Sequence, residues 1–301
     1  MRVAEAVERA AGRLSAARLA SPRVDAELLA AYVLGIPRGR LATAERFTSE
    51  QAERYAALIE QRATRVPLQH LTGKAPFRYL ELDVGPGVFV PRPETEVLVE
   101  WGLRWLRAIR EASPPPRSFL AGTSARDCAF LVVDLCAGSG AIAASVATEA
   151  RDTTVYAVER EPDALKWLRR NVLGLGVTVV EGDATDPDVL SELDGQVDLV
   201  LCNPPYVPEI GAAGLPAEVT RHDPSVAVFG GTDGLDVIRP LIGRFATLLR
   251  PGGAVAVEHE DVHAYVVPTL VHVDGRFVDV EVHHDLAQRP RFTTARRAGE
   301  P

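Results

Sequence analysis

The sequence predicts an α/β protein: a doubly wound, mostly parallel sheet preceded by a small helical domain. Three observations carry that expectation. From Phe130 onward short apolar runs alternate with segments of helical period, the pattern of parallel strands joined by crossover helices. Residues 1–65 hold apolar residues at helical spacing only. The run Val197–Cys202 is long enough for a buried strand and stops abruptly at Asn203-Pro204-Pro205-Tyr206.

At 301 residues the chain suggests about two domains. Hydrophobic residues at 47% and charged residues at 25% are ordinary for a soluble globular protein. No apolar run approaches the roughly 18 residues of a membrane span. Met1-Arg2-Val3-Ala4-Glu5 leads into charged helix and not into a signal-peptide core, so a cytoplasmic location is expected, with no membrane partner. Cys128, Cys136 and Cys202 are isolated and lack Cys-x-x-Cys spacing, which reads as reduced packing residues, not a disulfide framework or zinc site. The net charge of −8 argues against a sequence-independent grip on DNA or RNA. Residues 1–75 nevertheless hold twelve Arg and Lys against eight Asp and Glu, a mildly basic front that suits an acidic partner or a plain solvated helix face.

In chain order, Val24, Leu28, Leu29, Tyr32 and Val33, then Tyr55, Leu58 and Ile59, mark helices. Ser21-Pro22 and Thr48-Ser49 read as helix starts, and Gly35 with Pro37 as a stop. From Pro67 to Val90 the period shifts toward two around Gly85-Pro86-Gly87, which predicts a hairpin linker between two domains. Val90-Pro91-Arg92-Pro93-Glu94-Thr95-Glu96 then leads into an amphipathic helix over 97–109, with Pro93 and Glu94 suited to its first turn and Arg92 held just outside. Residues 111–127 read as a polar surface loop. Strands are predicted at 130–134, 154–158, 177–180, 197–202, 254–258, 277–282 and 291–296, and helices at 141–150, 162–173 and 235–249. The expected organisation is a helical domain at 1–66, a hairpin linker at 67–93 and an α/β domain at 94–301.

Four strand ends carry the chemistry. Asp134-Leu135-Cys136-Ala137-Gly138-Ser139-Gly140 follows the first strand and opens a helix, so its glycines admit a ligand close to the backbone and free helix N–H groups. The spacing is not Gly-x-Gly-x-x-Gly, which disfavours a dinucleotide and with it an oxidoreductase. Glu159 ends the second strand, where a carboxylate can accept ribose hydroxyls or simply sit in solvent. No Lys or Arg flanks the glycines, which suits an adenosine ligand without a pyrophosphate. Gly182-Asp183-Ala184 ends the third strand, where an acid can reach an adenine amine. Asn203-Pro204-Pro205-Tyr206 ends the fourth. Its prolines stiffen the loop, Asn203 supplies an amide oxygen, and Tyr206 supplies a flat face. Acceptors beside an aromatic wall suit a planar group bearing –NH2, whether a carboxamide or a nucleobase amine; the alternative is a proline-rich turn with a buried Tyr.

Taken together, Asp134–Gly140, Glu159, Asp183 and Asn203–Tyr206 resemble the motif set of class I S-adenosylmethionine-dependent methyltransferases that act on a planar amino nitrogen. Pro67–Val99, Arg221-His222-Asp223-Pro224, Gly230–Leu235, Val257-Glu258-His259 and Asp285–Arg296 narrow the resemblance to the release-factor glutamine N5-methyltransferases, the HemK/PrmC type, over essentially the whole chain. The methyl-donor motifs are generic, whereas Pro91–Glu96 combined with Asn203–Tyr206 is specific. The sequence departs from the family at Cys136-Ala137, where Gly-Thr is usual, and at Ala184, where an aromatic is common; the adenine wall then falls to other apolar residues.

The resemblance implies a Rossmann-like, mostly parallel seven-stranded sheet, with the helical domain docking a peptide release factor. It implies methyl transfer from S-adenosylmethionine to the side-chain amide nitrogen of the glutamine in that factor's GGQ motif. Asn203 and Pro204 are the implied catalytic residues, and Asn203, Pro204, Pro205 and Tyr206 the substrate site. The implied cofactor residues are Asp134, Cys136, Ala137, Gly138, Ser139, Gly140, Glu159, Asp183, Ala184, Asn203 and Arg92, with Glu94 beside Arg92. No metal is called for. His222, His259, His283 and His284 lack ligand or triad spacing and read as structural or exposed. Rival readings are a glutamine methyltransferase of a ribosomal protein, an adenine-N6 or guanine-N2 methyltransferase of nucleic acid, and a non-catalytic binding module. The acidic charge and the lack of a basic, aromatic-rich arm weigh against the nucleic-acid reading.

Overall fold

The computed structural model describes residues 1–112, 130–210 and 212–299. The polar loop expected at 111–127 lies, from residue 113 on, outside the described residues, as does Cys128. In chain order the helices are α1 (Val3–Ala16), α2 (Pro22–Leu34), α3 (Ser49–Ala63), α4 (Leu68–Thr72), α5 (Thr95–Ala112), α6 (Ala141–Glu149), α7 (Pro162–Asn171), α8 (Ala217–His222), α9 (Ser225–Val228), α10 (Ile238–Leu248) and α11 (Val266–Val273). The strands are β1 (Lys74–Phe77), β2 (Leu80–Asp83), β3 (Phe130–Leu135), β4 (Thr153–Glu159), β5 (Thr178–Glu181), β6 (Val197–Cys202), β7 (Leu249–Glu258), β8 (Phe277–His284) and β9 (Pro290–Arg297). They fall into two compact units: residues 1–74 with 84–86 and 215–223, and the remainder.

In the first unit, α1, α2 and α3 bury one apolar face each around Leu14, Leu29, Tyr55 and Ile59. The predicted starts and stop are there. Thr48 and Gln51 form a reciprocal capping box at α3, with Thr48 Oγ1 accepting from Gln51 N at 3.2 Å and Gln51 Oε1 from Thr48 N at 2.9 Å. Such a cap contributes about 1 kcal/mol. Gly35 ends α2 with φ 66°. Arg62 and Asp25 make a buried ion pair at 2.7 Å. Glu218, from the distant segment 215–223, takes hydrogen bonds from Arg62 at 3.2 Å and Arg65 at 3.1 Å. Nothing in the local sequence signals that Ala217–His222 leaves the sheet domain's contact set for the helical one.

The linker hairpin is shorter than expected and turns elsewhere. β1 and β2 reverse at Arg78-Tyr79, not around Gly85-Pro86-Gly87, and Val88–Val90 is outside any strand. Polar pinning overrides the glycine signal here. Arg78 takes φ 52° while its N–H bonds Glu96 Oε1 at 3.0 Å and its guanidinium bonds Glu149 at 2.6 and 2.7 Å and Glu100 at 2.9 Å. The short helix α4 and helices α8, α9 and α11 carried too little periodic signal to be predicted, and α5 starts two residues before the expected 97.

The large sheet has seven strands in the order β5-β4-β3-β6-β7-β9-β8. β5, β4, β3, β6 and β7 run parallel, and β9 lies antiparallel between β7 and β8. β6 is buried along all six residues, as a central parallel strand between two helix layers must be. The chain winds outward from β3 through β4 to β5, then returns to β6 on the other side of β3. This is a topological switch point, beyond whose carboxyl ends open α/β sheets bind ligands.

Candidate active site

The loops after β3 and β6 face each other at that switch point, since Leu135 and Cys202 are directly paired. The loop after β3 is built on backbone geometry. Cys136, Gly138 and Gly140 all have positive φ, at 61°, 55° and 82°. Ala137 N–H donates to Val158 O at 2.9 Å, and Gly140 N–H returns to Ala137 O at 2.7 Å. A Cβ at Gly140 would sit 2.6 Å from Leu168 Cδ1, so α7 packs directly on this residue. A Cβ at Gly138 would meet nothing within 4 Å, so this side of the loop is open to a ligand. Ser139 is buried and its carbonyl accepts Asn171 Nδ2–H at 2.9 Å.

Glu159 is the brace of this loop. Its Oε2 accepts Gly138 N–H at 2.7 Å, and Oε1 accepts the N–H groups of Arg160 at 2.9 Å and Glu161 at 2.8 Å. Three of a carboxylate's roughly four acceptor directions are thereby used, leaving about one for a ligand hydroxyl. Replacing Glu159 with alanine frees Gly138 and removes that acceptor. For the S-adenosylmethionine that the resemblance implies, calorimetry is expected to show affinity at least about tenfold weaker, the worth of one charged hydrogen bond.

Other predicted positions are brought together differently. Asp134 is turned inward and fully buried; its Oδ2 accepts Ala143 N–H at 3.0 Å, and burial raises its pKa well above the ordinary carboxylate value. It therefore ties α6 to β3, while its Oδ1 has no hydrogen-bond partner among the described residues. Asp183 accepts the Thr185 N–H and hydroxyl at 2.9 and 2.7 Å and pairs with Arg160 at 3.0 Å. Burial works to raise its pKa, but these donors hold it below the ordinary value. Ala184 is buried in the core with Leu190 and Leu193. Arg92 lies with its guanidinium 4.7 Å from the Phe89 ring centre, and its carbonyl accepts Thr95 N–H at 3.1 Å.

The loop after β6 carries the second half of the site. Pro204 is buried, and Asn203, Pro205 and Tyr206 are partly exposed. The loop is clipped to residues 228–231 by Val207 N–H to Val228 O, Gly230 N–H to Val207 O and Glu209 N–H to Gly231 O, at 3.0, 3.1 and 3.0 Å. Asn203 Nδ2 donates to Thr95 Oγ1 at 3.0 Å, and Tyr206 donates its hydroxyl to Glu258 Oε1 at 2.8 Å. Glu258 is 1% exposed at the end of β7. Among the described residues its Oε2 has no hydrogen-bond partner. Burial pushes its pKa up to about 7, opposed by the Thr95 and Tyr206 hydroxyls and the Arg291 cation. Burial and the neighbouring Glu258 charge likewise raise the Tyr206 phenol well above its usual value. Arg291 is held by Asp285 at 3.2 Å.

Thr95, Glu258, Arg291 and Gly230 are members of the site that sequence reasoning did not single out. Each lay within a stretch that carries the family resemblance, Pro91–Glu96, Val257-Glu258-His259, Asp285–Arg296 and Gly230–Leu235, but without a role of its own. Histidines near the site are structural. His259 Nδ1 bonds Glu260 O at 2.9 Å and Nε2 bonds Thr293 Oγ1 at 2.8 Å, while burial lowers its pKa to about 4. His283 stacks on Phe292 with ring centres 4.7 Å apart. Among the described residues no cluster of three or more His, Cys, Asp or Glu side chains is placed to hold a metal ion. No helix among them is long and apolar enough to cross a membrane.

A switch-point Gly loop braced by a strand-end Glu, beside a strand ending in Asn-Pro-Pro-Tyr, defines a class I methyltransferase. Family models described as "PrmC N-terminal domain" and "Methyltransferase small domain" match residues 5–73 and 118–214. The release factor glutamine methyltransferase of Mycolicibacterium smegmatis is 48% identical over 297 residues, covering 98% of each chain. That of Streptomyces coelicolor is 47% identical over 292 residues, 97% of each. That of Mycobacterium tuberculosis H37Rv is 43% identical over 303 residues, 99% of this chain and 93% of that one. The chain belongs to the release factor glutamine methyltransferase family.

Proposed function

We propose that this enzyme methylates the side-chain amide nitrogen of the GGQ glutamine of peptide chain release factors, in the cytoplasm. The observation that carries the reading is the orientation of Asn203. Its Nδ2 is committed to Thr95, so its Oδ1 is the atom left to accept a hydrogen bond from an incoming amide. S-adenosylmethionine, held by Cys136–Gly140 and Glu159 with Asp183 and Arg92 nearby, would supply a methyl group activated on a sulfonium. The open face at Gly138 fits such a ligand.

A carboxamide nitrogen is a poor nucleophile because its lone pair is delocalised into the carbonyl. Asn203 Oδ1 and the Pro204 carbonyl would accept its two N–H bonds, holding the group in plane and leaving electron density on nitrogen. Pro205 stiffens the loop, and Tyr206 flanks the amide. Tyr206 is fixed by its bond to Glu258, so its ring is placed before substrate arrives. The proton leaves after transfer, and no strong base is needed. Positioning of this kind lowers a barrier by several kcal/mol.

The test is label transfer from S-adenosylmethionine to purified release factor, beside a factor with the GGQ glutamine changed to alanine and beside DNA and RNA. Label on the native factor alone is the expected result. Label on nucleic acid, or equal label on the alanine factor, overturns the assignment.

A further inference from the structure

We infer that His263 is a positioning residue for the methyl-accepting loop, its ring holding the 231–234 turn against the backbone of Tyr206. This rests on the proposed reading of Asn203–Tyr206 as the loop that receives the amide.

The chain beyond β7 reaches that loop in two places. Glu258, the last residue of β7, takes the Tyr206 hydroxyl at 2.8 Å. A single helical turn at Asp261–His263 then brings the His263 ring, 4% exposed, to the carbonyl of Asp233, with Nε2 at 2.9 Å. A carbonyl oxygen can only accept, so Nε2 carries the proton and donates it.

Between this ring and Tyr206 lies Gly234, with φ 80°. A Cβ there would sit 2.8 Å from His263 Cε1 and would overlap the Tyr206 carbonyl oxygen. Ring, turn and loop are therefore stacked with no room for a side chain between them. The same turn is tied to the loop by Gly230 N–H to Val207 O at 3.1 Å and Glu209 N–H to Gly231 O at 3.0 Å. Whatever moves the turn moves Tyr206 and the peptides beside it. His263 offers no nitrogen to a substrate: Nε2 is committed to Asp233, and Nδ1 is buried without a hydrogen-bond partner among the described residues. His259 and His283 bond or stack on β9, at Thr293 and Phe292, whereas His263 alone of the three bonds the turn behind the acceptor loop.

Glutamine and asparagine separate the hydrogen bond from the bulk of the ring. Counted in bonds from Cα, the amide nitrogen of Gln falls where Nε2 of His lies, and that of Asn falls where Nδ1 lies. His263→Gln thus keeps a donor for Asp233, His263→Asn removes it, and His263→Phe keeps a ring without it. Single-turnover methyl transfer to release factor at saturating S-adenosylmethionine is expected to fall about 10- to 100-fold in the Asn and Phe variants and to stay within about threefold of native in the Gln variant, the scale for a displaced positioning group. Affinity for S-adenosylmethionine, read by calorimetry, should stay within about twofold throughout, because the Gly138 loop is braced by Glu159 and not by this turn.

A packing role predicts something else. Equal losses in the Gln and Asn variants, from misfolding or otherwise, overturn the proposal. So does native turnover in the Phe variant, or a fall in turnover matched by the same fall in cofactor affinity. If the native enzyme labels some other acceptor, the release-factor reading fails alone, and the same series measured on that acceptor still decides the role of His263.

Discussion

Replacing Asn203 with alanine is expected to lower kcat for methyl transfer by about a thousandfold while leaving the fold intact. Asn203 is partly exposed just past the end of β6, and among the described residues its side chain hydrogen-bonds Thr95 alone. Its truncation opens no core cavity and breaks no ladder. What it removes is an acceptor placed in advance where the amide N–H must point, and loss of one such preorganised group costs about 10²–10³ in rate. Asn203→Asp restores acceptor oxygens but cannot donate to Thr95, and it brings a second carboxylate toward Glu258. It should recover little. Single-turnover rates with saturating S-adenosylmethionine check both variants, and an alanine enzyme retaining a tenth of native kcat would falsify the role given to Asn203.

Gly230→Ala is expected to be comparably damaging by a different route. A Cβ there would lie 2.5 Å from Gly234 O and 2.7 Å from Pro205 O, both backbone atoms that no rotamer change can move. Either the 230–234 turn or the Asn-Pro-Pro loop must shift. Overpacking of this kind costs about 1–3 kcal/mol, and displacing the Pro205 peptide by even a fraction of an ångström misplaces the neighbouring Pro204 carbonyl. Activity should fall about a hundredfold, with a melting point lowered by roughly 5 °C. A variant with native melting and native turnover would mean that the loop is free to adjust.

The sheet was legible because its signals are long-range averages. β6 is apolar at all but one position and ends in two prolines, so its bounds match the prediction, and the Gly loop and Glu159 lie at strand ends as expected. The hairpin was misread because Gly85 and Gly87 look like a turn, whereas the true reversal is held by three carboxylates gathered around Arg78 from α5 and α6. No local pattern announces such a convergence. The roles of Glu258 and Thr95 were hidden for the same reason: their segments carry the family resemblance, but what each side chain does comes from the loop after β6, where Thr95 holds Asn203 and Glu258 holds Tyr206. Asp134 adds a task that its motif did not announce, since its Oδ2 secures the start of α6.

The direct pairing of Leu135 with Cys202 has a consequence for how the enzyme measures its substrate. One residue beyond each begins the loop that would carry donor or acceptor, so the two loops leave the sheet one strand spacing apart, about 4.8 Å. β6 is buried along its whole length and β3 over its last four residues, so a shift of register in either strand would have to repack both faces of the sheet. The sheet thus acts as a fixed gauge: a side chain presenting its amide from a shorter stem meets a gap that no closing motion of the two strands can make up.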